Sequence, residues 1–299
     1  MYTTIVVPLD GSRLAERAIP YARSLSAELL LVRAVNVRST PWEEEGAGQR
    51  KAAASADAYL ARVTGRRMLS STKVRTEVYC APAQDAILAS ARASGAQLIV
   101  MSTHGRAGLK RAIFGSVAEA ILRRTDIPVL LVPPNCHRRW RLRHPHVVVA
   151  LDGSALAASA IEPALTLTQC LKASLTLLYA VHISDAVDTE YGLEPLITDD
   201  ADTYLHSLAS DLRERGVSVA SQVQDGEPAD VIVAAAGDTR TAAVVLASRA
   251  RRGLARAVLG NVPTSVLQRA ESPVLIVRAA AAREAGRRAA NGLQAYTFR

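Results

Sequence analysis

Apolar residues fall along this chain in short unbroken runs separated by longer amphipathic stretches. Thr4-Ile5-Val6-Val7-Pro8-Leu9, Leu29-Leu30-Leu31-Val32-Arg33-Ala34-Val35, Gln97-Leu98-Ile99-Val100 and Pro128-Val129-Leu130-Leu131-Val132 read as strands buried on both faces. Val74 to Tyr79 alternates as a half-buried strand. Between the runs the spacing is helical. Ser12 is a good cap for a helix with apolar positions at Leu14, Ala18, Tyr21, Ala22 and Leu25. An Ala-rich helix is expected from about Gln49 to Met68, after a loop holding Pro41, Gly46 and Gly48. Another helix opens near Pro82 and runs to about Ser94, and one more covers Val117-Ala118-Glu119-Ala120-Ile121-Leu122. Strands alternating with helices predict a parallel sheet covered on both faces.

The pattern then repeats. Val147-Val148-Val149-Ala150-Leu151-Asp152-Gly153-Ser154 echoes Ile5-Val6-Val7-Pro8-Leu9-Asp10-Gly11-Ser12. Leu175 to Val181 echoes the second strand, Val244-Val245-Leu246-Ala247-Ser248 the fourth, and Pro273-Val274-Leu275-Ile276-Val277 the fifth. The offset is 142 between Asp10 and Asp152 and 145 between Gly115 and Gly260. A repeat this long, built of strand–helix units, predicts two Rossmann-like α/β domains rather than a solenoid. The expected organisation is a first domain over 1–135, a basic linker over 136–145, a second domain over 146–279 and a basic tail over 280–299.

Composition narrows the picture. The chain has 299 residues, 49% apolar but only 4% aromatic, so its cores must be aliphatic and Ala-rich. No apolar run is long enough to span a membrane. The N-terminus reads directly as a strand, without the features of a signal peptide. Cys80, Cys136 and Cys170 lie far apart with no metal-ligand spacing, which suits a reducing cytoplasm. The net charge of +8 is concentrated in the linker (Arg138, Arg139, Arg141 and Arg143) and the tail (Arg283, Arg287, Arg288 and Arg299). The folded bodies are therefore close to neutral, and a nucleic-acid-binding face is not expected. His137, His144 and His146 fall in or beside the linker and are expected to be solvated rather than to bind zinc.

Candidate chemistry centres on Met101-Ser102-Thr103-His104-Gly105, nine further residues, then Gly115-Ser116. A strand end, a small-residue loop and a helix N-terminus together suit a phosphate, because the first backbone N–H groups of a helix are unpaired and its dipole is positive there. Ser116 and Glu119 have the spacing of a capping box, which would set the helix start. Arg106, Lys110 and Arg111 lie in the loop, as phosphate screens or as a solvated face, and His104 is read as structural. There is no Walker A motif and no nucleophile elbow, and no residue stands out as a catalytic base.

Val-Pro-Leu-Asp-Gly-Ser at the start and Met-Ser-Thr-His-Gly, nine residues, Gly-Ser late in the first half resemble the universal stress protein family. The likeness extends over both halves, so the chain resembles a tandem member. The resemblance implies a five-stranded parallel sheet flanked by helices in each half, and an intrachain pseudo-dimer, with a further homodimer also open. It implies adenine-nucleotide binding (ATP, or ADP or AMP, with Mg²⁺ as a companion) at Pro8, Asp10, Ala34, Met101, Ser102, Gly105, Gly115, Ser116 and Val117. Ser102 departs from the glycine of the family's ATP-binding pattern. The equivalent second-half residues, Asp152, Ala247, Ala250, Gly260 and Asn261, imply a degenerate site: both leading glycine positions of the family pattern carry a Cβ, Asn261 becomes a helix cap, and Pro263 removes a backbone donor. The expected function is that of a nucleotide-binding stress or regulatory protein. The alternatives are a slow ATPase or nucleotidyl transferase, and an interaction module that has lost nucleotide binding.

Overall fold

The structure is a computed structural model, and it describes residues 1–35, 47–103, 115–136, 140, 142–181, 194–248 and 259–278. It divides into two compact units, Met1–Leu142 with Leu267–Val274, and Arg143–Val266 with Leu275–Arg299.

The first half of the chain forms β1 (Tyr2–Pro8), α1 (Arg13–Glu16), α2 (Ala18–Leu25), β2 (Ser26–Ala34), α3 (Ala47–Thr64), a 3-10 turn at Arg67–Leu69, β3 (Lys73–Tyr79), α4 (Ala83–Ala93), β4 (Leu98–Ser102), α5 (Ser116–Arg124) and β5 (Val129–Val132). Its strands lie in the order β3-β2-β1-β4-β5, and each neighbouring pair is parallel. The second half repeats this with β6 (His146–Leu151), α6 (Ala155–Ala158), α7 (Ile161–Leu171), β7 (Ser174–Val181), α8 (Glu194–Glu214), β8 (Val219–Asp225), α9 (Pro228–Gly237), β9 (Thr241–Ser248), α10 (Asn261–Arg269) and β10 (Val274–Arg278). Here β10 lies beside β9, followed by β6, β7 and β8. The fold is α/β and Rossmann-like in both halves. The central strands are buried on both faces, with Ile5, Val6, Val7, Leu29, Leu30, Leu31, Ile99 and Leu130 all inaccessible to solvent. That is the aliphatic core required by the scarcity of aromatics.

Two expected helices are broken, for one physical reason. The helix after Ser12 is split at Arg17 into α1 and α2, and the corresponding second-half helix is split into α6 and α7. Pro20 is the third residue of α2, and Pro163 the third of α7. Neither can supply the N–H that a continuous helix would need at that point, so the helix restarts with proline in its first turn.

The basic segment between the halves is packed where it is described. Cys136 is buried, and its Sγ lies 3.1 Å from the Tyr21 hydroxyl. Trp140 meets the Tyr21 ring edge-on, with centroids 5.1 Å apart, and Arg17 donates to the Pro134 carbonyl at 2.9 Å. Burial, then the Cys136 contact, pushes the Tyr21 phenol far above its ordinary range. His146, expected among solvated linker residues, is instead the first residue of β6. Its Nε2 is 2.8 Å from the Thr241 hydroxyl, which itself donates to the Ala235 carbonyl at 2.7 Å. The hydroxyl proton is thus used, so Nε2 is the donor. Burial lowers the His146 pKa, and the charge of Arg240 adds to this against the opposing pull of Asp238. His144 is exposed, and His137 lies outside the described residues.

Candidate functional site

In the first half, β1 has β2 on one side and β4 on the other, so the chain reverses its winding direction between β1 and β4. At such a point the connections leave opposite faces of the sheet and open a crevice beyond the carboxyl ends of the strands. The expected residues gather there. Pro8 ends β1 in register with Val32, and the Leu9 N–H continues the ladder to the Val32 carbonyl at 2.8 Å. Asp10 follows in a tight turn in which its Oδ1 accepts from the Ser12 N–H at 2.8 Å. Ser12 then caps α1, its Oγ accepting from the Ala15 N–H at 3.1 Å. Ala34 ends β2 beside Tyr79, and Met101 and Ser102 end β4, both buried.

The start of α5 is not a capping box. Gly115 occupies the cap position with φ 84 and ψ 138, and no side chain caps the helix. Ser116 is already the first helical residue. Glu119 lies one turn further in and pairs with Arg123 at 3.0 Å instead of reaching back. The first helical bond runs from the Glu119 N–H to the Gly115 carbonyl at 3.1 Å. The N–H groups of Ser116, Val117 and Ala118 therefore have no acceptor within the helix. A positive φ of this kind is open to glycine and costly for any residue with a Cβ, by about 1–2 kcal/mol. Gly105, with His104, Arg106, Lys110 and Arg111, lies outside the described residues.

The second half has the same frame with different contents. Asp152 Oδ1 accepts from Ser154 N–H at 2.9 Å, and Ser154 caps α6. Gly260 has the same φ of 84 as Gly115, and Thr264 N–H reaches its carbonyl at 3.3 Å. Asn261 is therefore the first residue of α10 rather than its cap. Pro263, two residues on, leaves the first turn with one donor fewer. Ala247 is the penultimate residue of β9. Ser248, which ends that strand, is buried and donates to the Leu259 carbonyl at 3.4 Å. Ala250 lies outside the described residues.

The structure also brings in a group that sequence reasoning missed. Tyr59 of α3 donates to Glu16 Oε1 at 2.9 Å, and Arg66 pairs with Glu16 Oε2 at 2.8 Å. The Arg33 guanidinium lies over the Tyr59 ring, 4.6 Å from its centroid. Burial of Glu16 opposes its ionisation, but the hydrogen bonds from Arg66 and Tyr59 and the charges of Arg66 and Arg13 outweigh it, so its pKa is lowered. One signal was available: Arg33 is the single charge in an otherwise apolar strand run. Among the described residues there is no cluster of three potential metal ligands, and no helix is long and apolar enough to cross a membrane. Cys80, Cys136 and Cys170 form no disulfide.

A scan of family models matches the universal stress protein family twice, over residues 1–133 and 144–278. The chain belongs to the universal stress protein family. Both halves are matched, so it is a tandem member. Its curated relatives include universal stress protein Rv2005c of Mycobacterium tuberculosis, 29% identical over 188 residues, which are 61% of this chain and 62% of that protein. This chain thus matches less than two thirds of that relative's length. Universal stress protein MJ0531 of Methanocaldococcus jannaschii is 31% identical over 150 residues, 44% of this chain and 82% of that protein. Among solved structures, a universal stress protein from Archaeoglobus fulgidus superposes with a TM-score of 0.71 at 18% identity, over 92% of this chain and 96% of that one. That likeness is one of fold.

Proposed function

We propose that this universal stress protein binds an adenine nucleotide, ATP or its di- or monophosphate, in its first half, and acts in the cytoplasm as a nucleotide-responsive stress or regulatory protein. The observation that carries the reading is Gly115. Its positive φ sets the start of α5, where the N–H groups of Ser116, Val117 and Ala118 have no acceptor within the helix and are suited to an anion. A glycine there also leaves clear the space a Cβ would take, as close backbone approach to phosphate requires. Pro8, Asp10 and Ala34 form the opposite, nucleoside end, and Met101 and Ser102 the floor between. Mg²⁺ would accompany the phosphates, and Asp10 is the one carboxylate of the proposed first-half set. The second half keeps the positive-φ glycine and the aspartate turn. It has lost the serine at the helix start and one first-turn donor, and it serves chiefly as structure.

Thermal denaturation with ATP tests the reading. A ligand that binds only the folded state raises its melting temperature with concentration. A rise with ATP that is lost in a Gly115→Val, Ser116→Ala variant is the expected result. No rise at millimolar ATP or AMP refutes it and favours a surface interaction module. Nucleic-acid binding through the linker has lost its aromatic platform, since Trp140 is engaged with Tyr21.

A further inference from the structure

The two ends of the proposed nucleoside pocket lie at the ends of elements. Asp10 sits in a turn leading into α1, which is only four residues long and has little stability of its own. Ala34 is the last residue of β2. One phenol joins these two ends. The Tyr59 hydroxyl holds Glu16, the last residue of α1, at 2.9 Å, while the Tyr59 ring carries the guanidinium of Arg33, the residue before Ala34, at 4.6 Å. Arg66 secures the other Glu16 oxygen. Tyr59 itself is only 8% exposed, so this junction is fixed by packing as well as by hydrogen bonds.

The second half shows the same place with the tether cut. The strand registers pair Pro8 with Val32 and Ala150 with Leu178, which makes Tyr179 the counterpart of Arg33. Tyr204 of α8 is the counterpart of Tyr59, with its ring against Tyr179 at a centroid distance of 6.4 Å. Ala158 ends α6 where Glu16 ends α1. With no carboxylate at that position, the Tyr204 hydroxyl is buried without a hydrogen-bond partner. The aromatic link to the strand is retained, and the link to the aspartate turn is gone.

We infer that Glu16, Tyr59 and Arg33 are positioning residues for the nucleoside end of the first-half site, and that replacement of the glutamate and the arginine by Ala158 and Tyr179 in the second half contributes to its degeneracy. This rests on the reading of the first half as a nucleotide site. The tether sets the geometry of Asp10 and Ala34 before any ligand arrives, so it governs affinity for the nucleoside part of the ligand. The phosphate end, built on Gly115 and α5, is separate from it.

Titration calorimetry with ATP and with inorganic tripolyphosphate tests this on the full chain. Tyr59→Phe keeps the ring and removes the hydroxyl. It weakens ATP binding by about tenfold, the scale of one hydrogen bond to a charged group, and leaves tripolyphosphate binding unchanged. Glu16→Gln, which still accepts from Tyr59, retains more ATP affinity than Glu16→Ala. Unchanged ATP affinity in Tyr59→Phe overturns the inference, as does an equal fall for both ligands, which marks a general loosening of the fold. If the wild-type chain binds no ATP, the functional reading fails and this inference with it. A mirror experiment needs no ligand. Ala158→Glu gives Tyr204 its missing acceptor and raises the melting temperature, and the gain disappears in a Tyr204→Phe background. A gain that persists there, or no gain at all, contradicts the tether geometry.

Discussion

The two halves of this chain share a strand order, a broken first helix, a serine cap, an aspartate turn and a glycine at φ 84, yet differ at the groups a ligand would meet. What both copies retain is what the backbone needs. Gly115 and Gly260 each stand where a Cβ is strained, and Pro20 and Pro163 each restart a helix. What differs is side-chain chemistry at the strand ends: Ser116 against Asn261, Glu16 against Ala158 and Arg33 against Tyr179. A duplicated fold can keep its frame while one copy loses its contents, because packing and backbone conformation constrain the frame independently of any ligand.

The comparison breaks most readily at the two glycines. Gly115→Val abolishes ATP binding, with a loss of at least about a hundredfold if it removes roughly 3 kcal/mol of phosphate contacts. Gly260→Val leaves ATP binding intact. Both lower stability by a similar amount, about 1–2 kcal/mol, because both add a side chain at the same positive φ. Calorimetry and urea denaturation on the pair separate the two effects. Equal losses of ATP affinity would mean that both halves bind.

The tyrosines sharpen the contrast at a smaller scale. Tyr59→Phe strips Glu16 of a donor and lowers folding stability by about 1 kcal/mol. Tyr204→Phe removes a hydroxyl that has no partner, so it is neutral or stabilising. A larger loss in Tyr204→Phe than in Tyr59→Phe would reverse the account.

The smallest effect is one of pH and belongs to the second half. His146 is held neutral by burial, with a folded pKa below its unfolded value. The unfolded chain therefore takes up the proton first as pH falls. The stabilising contribution is full above the unfolded pKa, about 6.5, and is lost as pH falls through that value toward the folded one. His146→Gln flattens the slope of stability against pH below about 6.5. An unchanged slope would place its origin elsewhere.

Much of this was legible in the sequence. The central strands are buried on both faces, so they appear as unbroken aliphatic runs, and duplication made each run visible twice. The helix breaks at Pro20 and Pro163 were legible in principle, since each proline lies more than two turns past its serine cap, where a continuous helix would need its N–H. The start of α5 was misread because Ser116 and Glu119 match a capping box in spacing, whereas the positive φ of Gly115 moves the cap back by one residue. The Glu16–Tyr59–Arg33 junction was not legible. Its members come from three elements, and no local pattern joins Glu16 to a tyrosine 43 residues away. The packing of Cys136 and Trp140 on Tyr21 was hidden for the same reason, behind a linker whose arginines suggested only solvent.

The central claim is that one of two similar halves carries the nucleotide site. The most direct test is the number of ATP molecules bound per chain at saturation, by calorimetry supported by native mass spectrometry. The account predicts one, falling to none in Gly115→Val. Two sites of equal affinity would contradict it.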